Sequence, residues 1–243
     1  MWGVNLMFIL LALVAEVLGT IGGFGSSVFF VPLGNFYFDF QSVLGIAAIF
    51  HLSSNLSKMV LFKQGLDKRL IWSMGIPSVV FVVLGSFLSK WVNSLYLEAV
   101  LVVFLLGFSL FFLLKQRFVI QAHTKNALIG GALSGFSAGL LGTGGAIRGL
   151  TMAAFNLEKS AFIATSAVID LMIDFSRTVV YYHNGFIHWH DLKYIPFLFV
   201  VGFVGSYVGK RILVYIPQSK FRRISLLLIL AIGIITGMQL VLD

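Results

Sequence analysis

The 243-residue chain is 59% hydrophobic and only 11% charged, with a formal net charge of +8 and no cysteine. Apolar runs of about 20 residues recur from end to end, each long enough to cross ~30 Å of hydrocarbon, which excludes a soluble domain and predicts an integral membrane protein. The absence of cysteine excludes disulfides and thiolate metal sites, and the short loops carry most of the positive charge, which reports membrane orientation rather than nucleic-acid binding.

The start Met1-Trp2-Gly3-Val4-Asn5 lacks the basic region of a signal peptide, so its apolar stretch is kept in the fold. Eight segments follow in order. Segment A runs from about Trp2 to Gly34 and is interrupted near Gly19–Gly25. B covers Gln41–Phe62, C Leu70–Leu88 and D Leu95–Leu114. Lys115, Arg117 and Lys125 mark a central linker. E runs from Asn126 to Phe155 and is interrupted near Gly139–Gly145, followed by F (Ser160–Tyr182), G (Lys193–Ile212) and H (Arg223–Leu242). The expected fold is all-α: one transmembrane domain over 1–243, with internal repeats at 1–115 and 126–242.

The repeat is carried first by the glycines. A shift of 120 places Gly19 on Gly139, Gly22 on Gly142 and Gly25 on Gly145. At a shift of 119, His51 falls on Asp170, Asn55 on Asp174, Lys58 on Arg177 and Pro77 on Pro196. Glycine weakens a helix by about 0.8–1 kcal/mol per residue relative to alanine. Backbone freed in this way must be buried in protein or line a wet cavity. Paired interruptions in two halves point to the binding site of a secondary transporter.

The basic residues decide how the halves are oriented. If segments A and E each cross once, the Lys and Arg of the loops divide seven against seven. If each dips in, breaks and returns, they divide twelve against two, with only Lys90 and Lys193 on the minority side. That asymmetry is what the positive-inside tendency predicts. It gives two inverted repeats of about four segments, the first of each glycine-broken or re-entrant, and both termini outside.

Polar residues inside the apolar segments mark a candidate site. His51, Asn55 and Lys58 share one helix face in B; Asp170, Asp174 and Arg177 share one in F, with Ser166 a turn earlier. Ionised groups at the bilayer centre are costly and face protein or water. The aspartates either pair with Arg177 to hold helices together, or take up a proton or orient the arginine toward an anion. His51 reads equally as a packing residue or a coupling residue. Lys58 and Arg177 either snorkel or join the site. Half-helix starts attract anions through free N–H groups. Gly22, Gly23, Gly25, Ser26 and Ser27 of the first break and Gly142, Gly144 and Gly145 of the second therefore form the expected anion site, with Arg148 adding directed donors. Glu16 reads as a separate polar contact near the first break, or as a member of the coupling path.

Other features read as structural. Glycines 130, 131, 135 and 139 permit close helix contact. Trp72, Trp91, Trp189, Tyr194 and Tyr215 are expected as interface anchors. His183, His188 and His190 around Asp191 form a loop cluster that could hold a metal, but no metal site and no cofactor is assigned. No metalloprotease, phosphate-loop or nucleophile motif occurs, and the glycines lack the βαβ context of a dinucleotide fingerprint.

Taken together, Gly19-Thr20-Ile21-Gly22-Gly23-Phe24-Gly25 followed by Pro32, Gly139-Leu140-Leu141-Gly142-Thr143-Gly144-Gly145, Ala164-Thr165-Ser166 and Asn184-Gly185-Phe186-Ile187-His188-Trp189 resemble the sulfite exporter TauE/SafE family, also called the 4-toluene sulfonate uptake permease family. The resemblance covers nearly the whole chain. It implies a bacterial-type inner-membrane permease for small sulfur-containing or organic anions such as sulfite, thiosulfate or a sulfonate. Two features depart from the family pattern: the second motif is followed by Thr151-Met152 rather than proline, and Arg148 with the Asp170–Asp174–Arg177 face is unusually charged. The expected function is secondary transport of such an anion in either direction, with proton coupling through Asp170, Asp174 or His51. A small-anion channel and a non-transporting membrane scaffold are the alternatives; an enzyme is not expected. The expected partners are the anion and the bilayer, with no nucleic acid, and a homodimer is open to the chain.

Overall fold

The computed structural model describes residues 5–62, 65–115 and 120–242, without the side chains of 218–222, 225 and 242. Lys63 and Arg117, the side chains of Lys220 and Arg222, and the chain start at Met1–Val4 therefore lie outside the described residues. The described residues form helices and no strand. In order they are α1 (Leu6–Gly22), α2 (Ser27–Gly34), α3 (Phe40–Leu61), α4 (Lys68–Ser89), α5 (Ser94–Leu114), α6 (Thr124–Leu141), α7 (Gly145–Ala153), α8 (Lys159–Asn184), a 3-10 turn (Leu192–Tyr194), α9 (Ile195–Leu213) and α10 (Gln218–Leu242). A short helix pair followed by three long helices occurs twice.

Short polar side chains cut the apolar sequence into these pieces. Asn5 accepts from the amides of Met7 and Phe8, Asp39 from Ser42, Asp67 from Leu70 and Asn93 from Leu95. Each satisfies an amide that the helix start leaves without a partner. Among the described residues, four helices are long and apolar enough to cross a membrane: Phe40–Leu61, Lys68–Ser89, Ser94–Leu114, and Leu192–Leu213 with the 3-10 turn included. α8 is longer, at 26 residues, but carries Asp170, Asp174 and Arg177 along its length. Large apolar side chains such as Val80, Leu84, Phe87, Val103, Val200 and Phe203 point outward, as a lipid-facing surface requires.

The glycine breaks are narrower than the sequence motifs. α1 ends at Gly22 and α2 begins at Ser27; α6 ends at Leu141 and α7 begins at Gly145. Gly23 (φ 69°) and Gly142 (φ 75°) close the first helix of each pair in the left-handed conformation that glycine accepts without strain. The chain then doubles back. Phe8, near the start of α1, packs on Tyr37 and Phe38 just past the end of α2, with ring centroids 5.7 and 5.0 Å apart. A Cβ on Gly130, in the second turn of α6, would overlap Thr151 near the end of α7. α1 is about 25 Å long and α2 about 12 Å, at 1.5 Å per residue. The second leg is therefore about half the length of the first.

The packing exchanges elements between the halves. α4 lies along α6, and α9 lies along α1. α4 also meets α8 and α9 meets α3, while α3 pairs with α8 and α5 with α10. Each contact has its counterpart. Glycines make the closest of them possible: a Cβ on Gly131, Gly135 or Gly139 of α6 would strike backbone of α4, and one on Gly205 or Gly209 of α9 would strike Glu16 or Thr20 of α1. Gly130 serves a different contact, against α7.

Trp72, Trp91, Trp189 and Tyr215 are exposed, as expected of interface anchors. Tyr194 is not. It is buried against Phe8 and Phe38, with centroids 5.2 and 5.3 Å away, and its hydroxyl lies 3.4 Å from the Asn5 amide. The 3-10 turn draws it inward, a local reversal that hydropathy does not reveal.

Candidate functional site

The two breaks meet at the centre of the molecule. Ser27 Oγ donates to Thr143 Oγ1 across them at 3.3 Å. The Phe24 carbonyl oxygen lies against Gly145, where any Cβ would overlap it, and the Phe24 ring covers Gly149. The start of α7 thus faces a carbonyl oxygen of the first break. Gly19 has no room for a Cβ either, because the Ser26 backbone crosses it.

Around this contact the fold buries three cations and three carboxylates. The first pair joins Lys58 of α3 to Glu16 of α1, Nζ to Oε1 at 2.8 Å. Glu16 is fully buried and collects four hydroxyls: Ser26 on Oε2 at 2.5 Å, and Ser54, Ser206 and Thr20 on Oε1 at 2.7, 2.8 and 3.2 Å. Such saturation is what allows a carboxylate to stay charged out of water. Neither Lys58 nor Arg177 snorkels; they are 4% and 1% exposed.

The second pair lies within α8. Arg177 Nε donates to Asp174 Oδ1 at 2.8 Å, and Arg177 Nη1 donates to the Gly142 carbonyl at 2.8 Å. Arg177 therefore seals the C-terminal end of α6, where carbonyls lack partners and the helix dipole is negative. Tyr181 donates to the Gly139 carbonyl at 2.7 Å beside it. Asn55 Nδ2 donates to Asp174 Oδ2 at 2.7 Å. Asn55 and Asp174 occupy matching places in the sequence, 119 residues apart, so the counterparts touch each other directly.

The third pair joins Arg148 of α7 to Asp170 of α8 through two parallel contacts, Nη1 to Oδ1 and Nη2 to Oδ2. Arg148 Nε donates to Ser166 Oγ at 2.9 Å, and Nη2 is 3.5 Å from the Phe24 carbonyl. Arg148 is buried, but the Asp170 side chain retains 15% of its exposure, more than any other member of the three pairs. That exposure opens into two adjoining clefts. One is lined by Gly23, Gly25, Asn55, Lys58, Ser166 and Asp170, among others. The other is lined by Gly25, Ser26, Ser27, His51, Asn55, Asp170 and Asp174. Each has a water-accessible volume of ≈ 10 Å³, about the room of one water molecule.

His51 sits between the Phe30 and Phe50 rings, with centroids 5.7 and 5.0 Å away. Its Nδ1 is 3.2 Å from Ser26 Oγ, while its Nε2 is buried without a hydrogen-bond partner. Gly144, whose carbonyl accepts from Ser134, and Gly22 at the end of α1 shape the breaks rather than line the clefts.

The structure thus gathers the expected glycines, Ser26, Ser27, Lys58, His51, Arg148, Asp170, Asp174 and Arg177 into one region. Arg177 pairs with Asp174, one of the two readings of the aspartates, whereas the carboxylates that engage Lys58 and Arg148 were not expected as their partners. Glu16 proves to be the partner of Lys58 and the centre of the largest polar network, not a separate contact. Its signal was present: it is the sole charged residue in the 17-residue α1. The roles of Thr20, Ser54, Ser206 and Tyr181 depend on distant contacts and carried no comparable mark.

Long apolar helices, two doubled-back breaks and a buried layer of ion pairs define a multi-pass helical membrane transport protein. The model of the sulfite exporter TauE/SafE family matches residues 8–236, and the chain belongs to that family, whose members are membrane transporters. No curated protein matches the chain.

Proposed function

We propose that the chain is a secondary transporter that carries a small sulfur-containing or organic anion, such as sulfite, thiosulfate or a sulfonate, through the space between the two glycine breaks. The observation that carries this reading is the Arg148–Asp170 pair. A guanidinium fork fits a carboxylate and a sulfur oxyanion equally well, and Asp170 occupies the fork at the wall of the clefts. With three cations matched by three carboxylates and room for little more than a water, an anion must displace a carboxylate to bind. A proton taken up by Asp170 would release it from Arg148 and keep the layer neutral as the anion takes its place. The proton on Asp170 would balance one charge, that of a monovalent anion such as hydrogen sulfite or a sulfonate. The site would sit at the centre of two inverted repeats, residues 1–115 and 126–242, with both termini outside and the exchanged α4–α6 and α9–α1 packing moving against α3–α8 to alternate access. The chain reversal at each break supports that topology, because it returns both broken segments to the side they came from.

The test is flux into proteoliposomes of sulfite, thiosulfate, sulfate and a short sulfonate. The wild-type protein should move at least one of them saturably. Arg148→Ala should abolish that movement, and Arg148→Lys, which keeps the charge but not the fork, should impair it. Normal flux through a folded Arg148→Ala protein would remove Arg148 from the site. Flux that does not saturate would favour a channel, and movement of none of the four anions by folded protein would displace sulfur anions as substrate.

A further inference from the structure

One group of ligand-type side chains stands apart from the buried layer. The stretch 186–191 leaves α8 and enters the 3-10 turn before α9, and its backbone is seated on α3, with the Phe186 carbonyl oxygen against Gly45. This brings His188 to the first turn of α3, where its Nδ1 lies 3.0 Å from Ser42 Oγ. Ser42 in turn donates to Asp39 Oδ2 at 2.6 Å. Asp191 is 1% exposed, and the groups nearest its carboxylate oxygens are two imidazoles. A buried carboxylate needs partners of this kind or a cation beside it.

Asp191 Oδ2 is 3.4 Å from His188 Nδ1, and Oδ1 is 3.2 Å from His190 Nε2. One ligand atom from each of the three residues lies within 4.8 Å of the others, close enough for a single ion to draw together. His183, in the exposed last turn of α8, is not part of the group.

We infer that His188, His190 and Asp191 form a binding site for a divalent transition-metal ion of the zinc type, with the fourth position open to solvent. Two imidazoles and one carboxylate suit zinc, nickel or copper rather than calcium or magnesium, which take oxygen ligands. Ser42, whose proton goes to Asp39, accepts from His188 Nδ1–H and leaves Nε2 as the nitrogen for the ion, the supporting role that outer groups play at such sites. Because the ligands belong to the α8–α9 connection and their support belongs to α3, a bound ion would fasten the second half of the chain to the first at this end of the α3–α8 pair.

The experiment is a titration of the full-length protein, purified in detergent without a histidine tag and freed of metal, with Co²⁺ and then Zn²⁺. The expected result is one saturable equivalent of Co²⁺ with the visible bands of a tetrahedral ion, displaced by Zn²⁺. His188→Ala and His190→Ala remove exposed side chains and should leave folding intact. Each should weaken binding by at least the roughly 10–100-fold that loss of a supporting group costs. No saturable binding to wild-type protein, or unchanged binding in both variants, would overturn the assignment. The readout is independent of transport.

Discussion

Lys58 and Arg177 hold the same place in the two halves of the chain, and the fold treats them differently. Lys58 reaches across to Glu16 on another helix and shares it with four hydroxyls. Arg177 takes Asp174 from its own helix and spends its remaining reach on carbonyls at the end of α6. Both pairs are closed to solvent. In the third pair, Arg148 with Asp170, the carboxylate is the most exposed member of the three pairs and lines both clefts. Two closed pairs therefore fix the helices, and on the proposed function the third, more open pair is the one for which an anion competes.

Substitutions can break that division of labour. The largest effect is expected from Glu16→Ala, which strands Lys58 and four hydroxyls in a dry interior. Removing one member of a buried pair costs about 3–5 kcal/mol, so this variant should melt far below wild type in detergent. Glu16→Ala combined with Lys58→Met should recover much of the loss, since the unpaired charge is then gone. A Glu16→Ala protein as stable as wild type would mean that the network does not hold the fold.

Asp170→Asn should cost less, roughly 1–3 kcal/mol for a buried donor deprived of its partner, because the clefts admit water and Arg148 keeps Ser166. It should also sharpen the contrast. Added sulfite should raise the melting temperature of Asp170→Asn more than that of wild type, because the anion no longer competes with a carboxylate for Arg148 and ligand stabilisation grows with affinity. Equal shifts would argue that Asp170 does not guard the site. The smallest effect is expected from His51→Gln, under about 1 kcal/mol, since its one polar contact is with Ser26 and Nε2 has none to lose. If the pH dependence of flux is also unchanged in that variant, His51 has no part in coupling.

Much of the fold was legible because lipid leaves few choices. Apolar length gave the long helices, and the paired glycines gave the interruptions and their reversal. The shift of 119 that aligns Asn55 with Asp174 in the sequence became a direct contact between them. The site was legible as a list of residues, since ionisable groups in apolar segments are conspicuous. The pairing was not. Whether Arg177 meets an anion, Asp174 or a helix end depends on how α6 crosses α8, and nothing local to Arg177 encodes that crossing. Glu16 illustrates the same limit: its charge marked it, but its four hydroxyl donors come from α1, the first break, α3 and α9, and only the assembled packing brings them together. Tyr194 shows the converse, an aromatic residue at a segment end that reads as an anchor until a single 3-10 turn folds it into the core.

The most direct test of the exchange at Arg148 is to follow protons and sulfite together in proteoliposomes carrying wild-type or Asp170→Asn protein. The account predicts that wild-type protein moves protons with sulfite and responds to an imposed pH gradient, whereas Asp170→Asn still exchanges sulfite but moves no protons and ignores the gradient. Proton movement with sulfite that is undiminished in Asp170→Asn would contradict it.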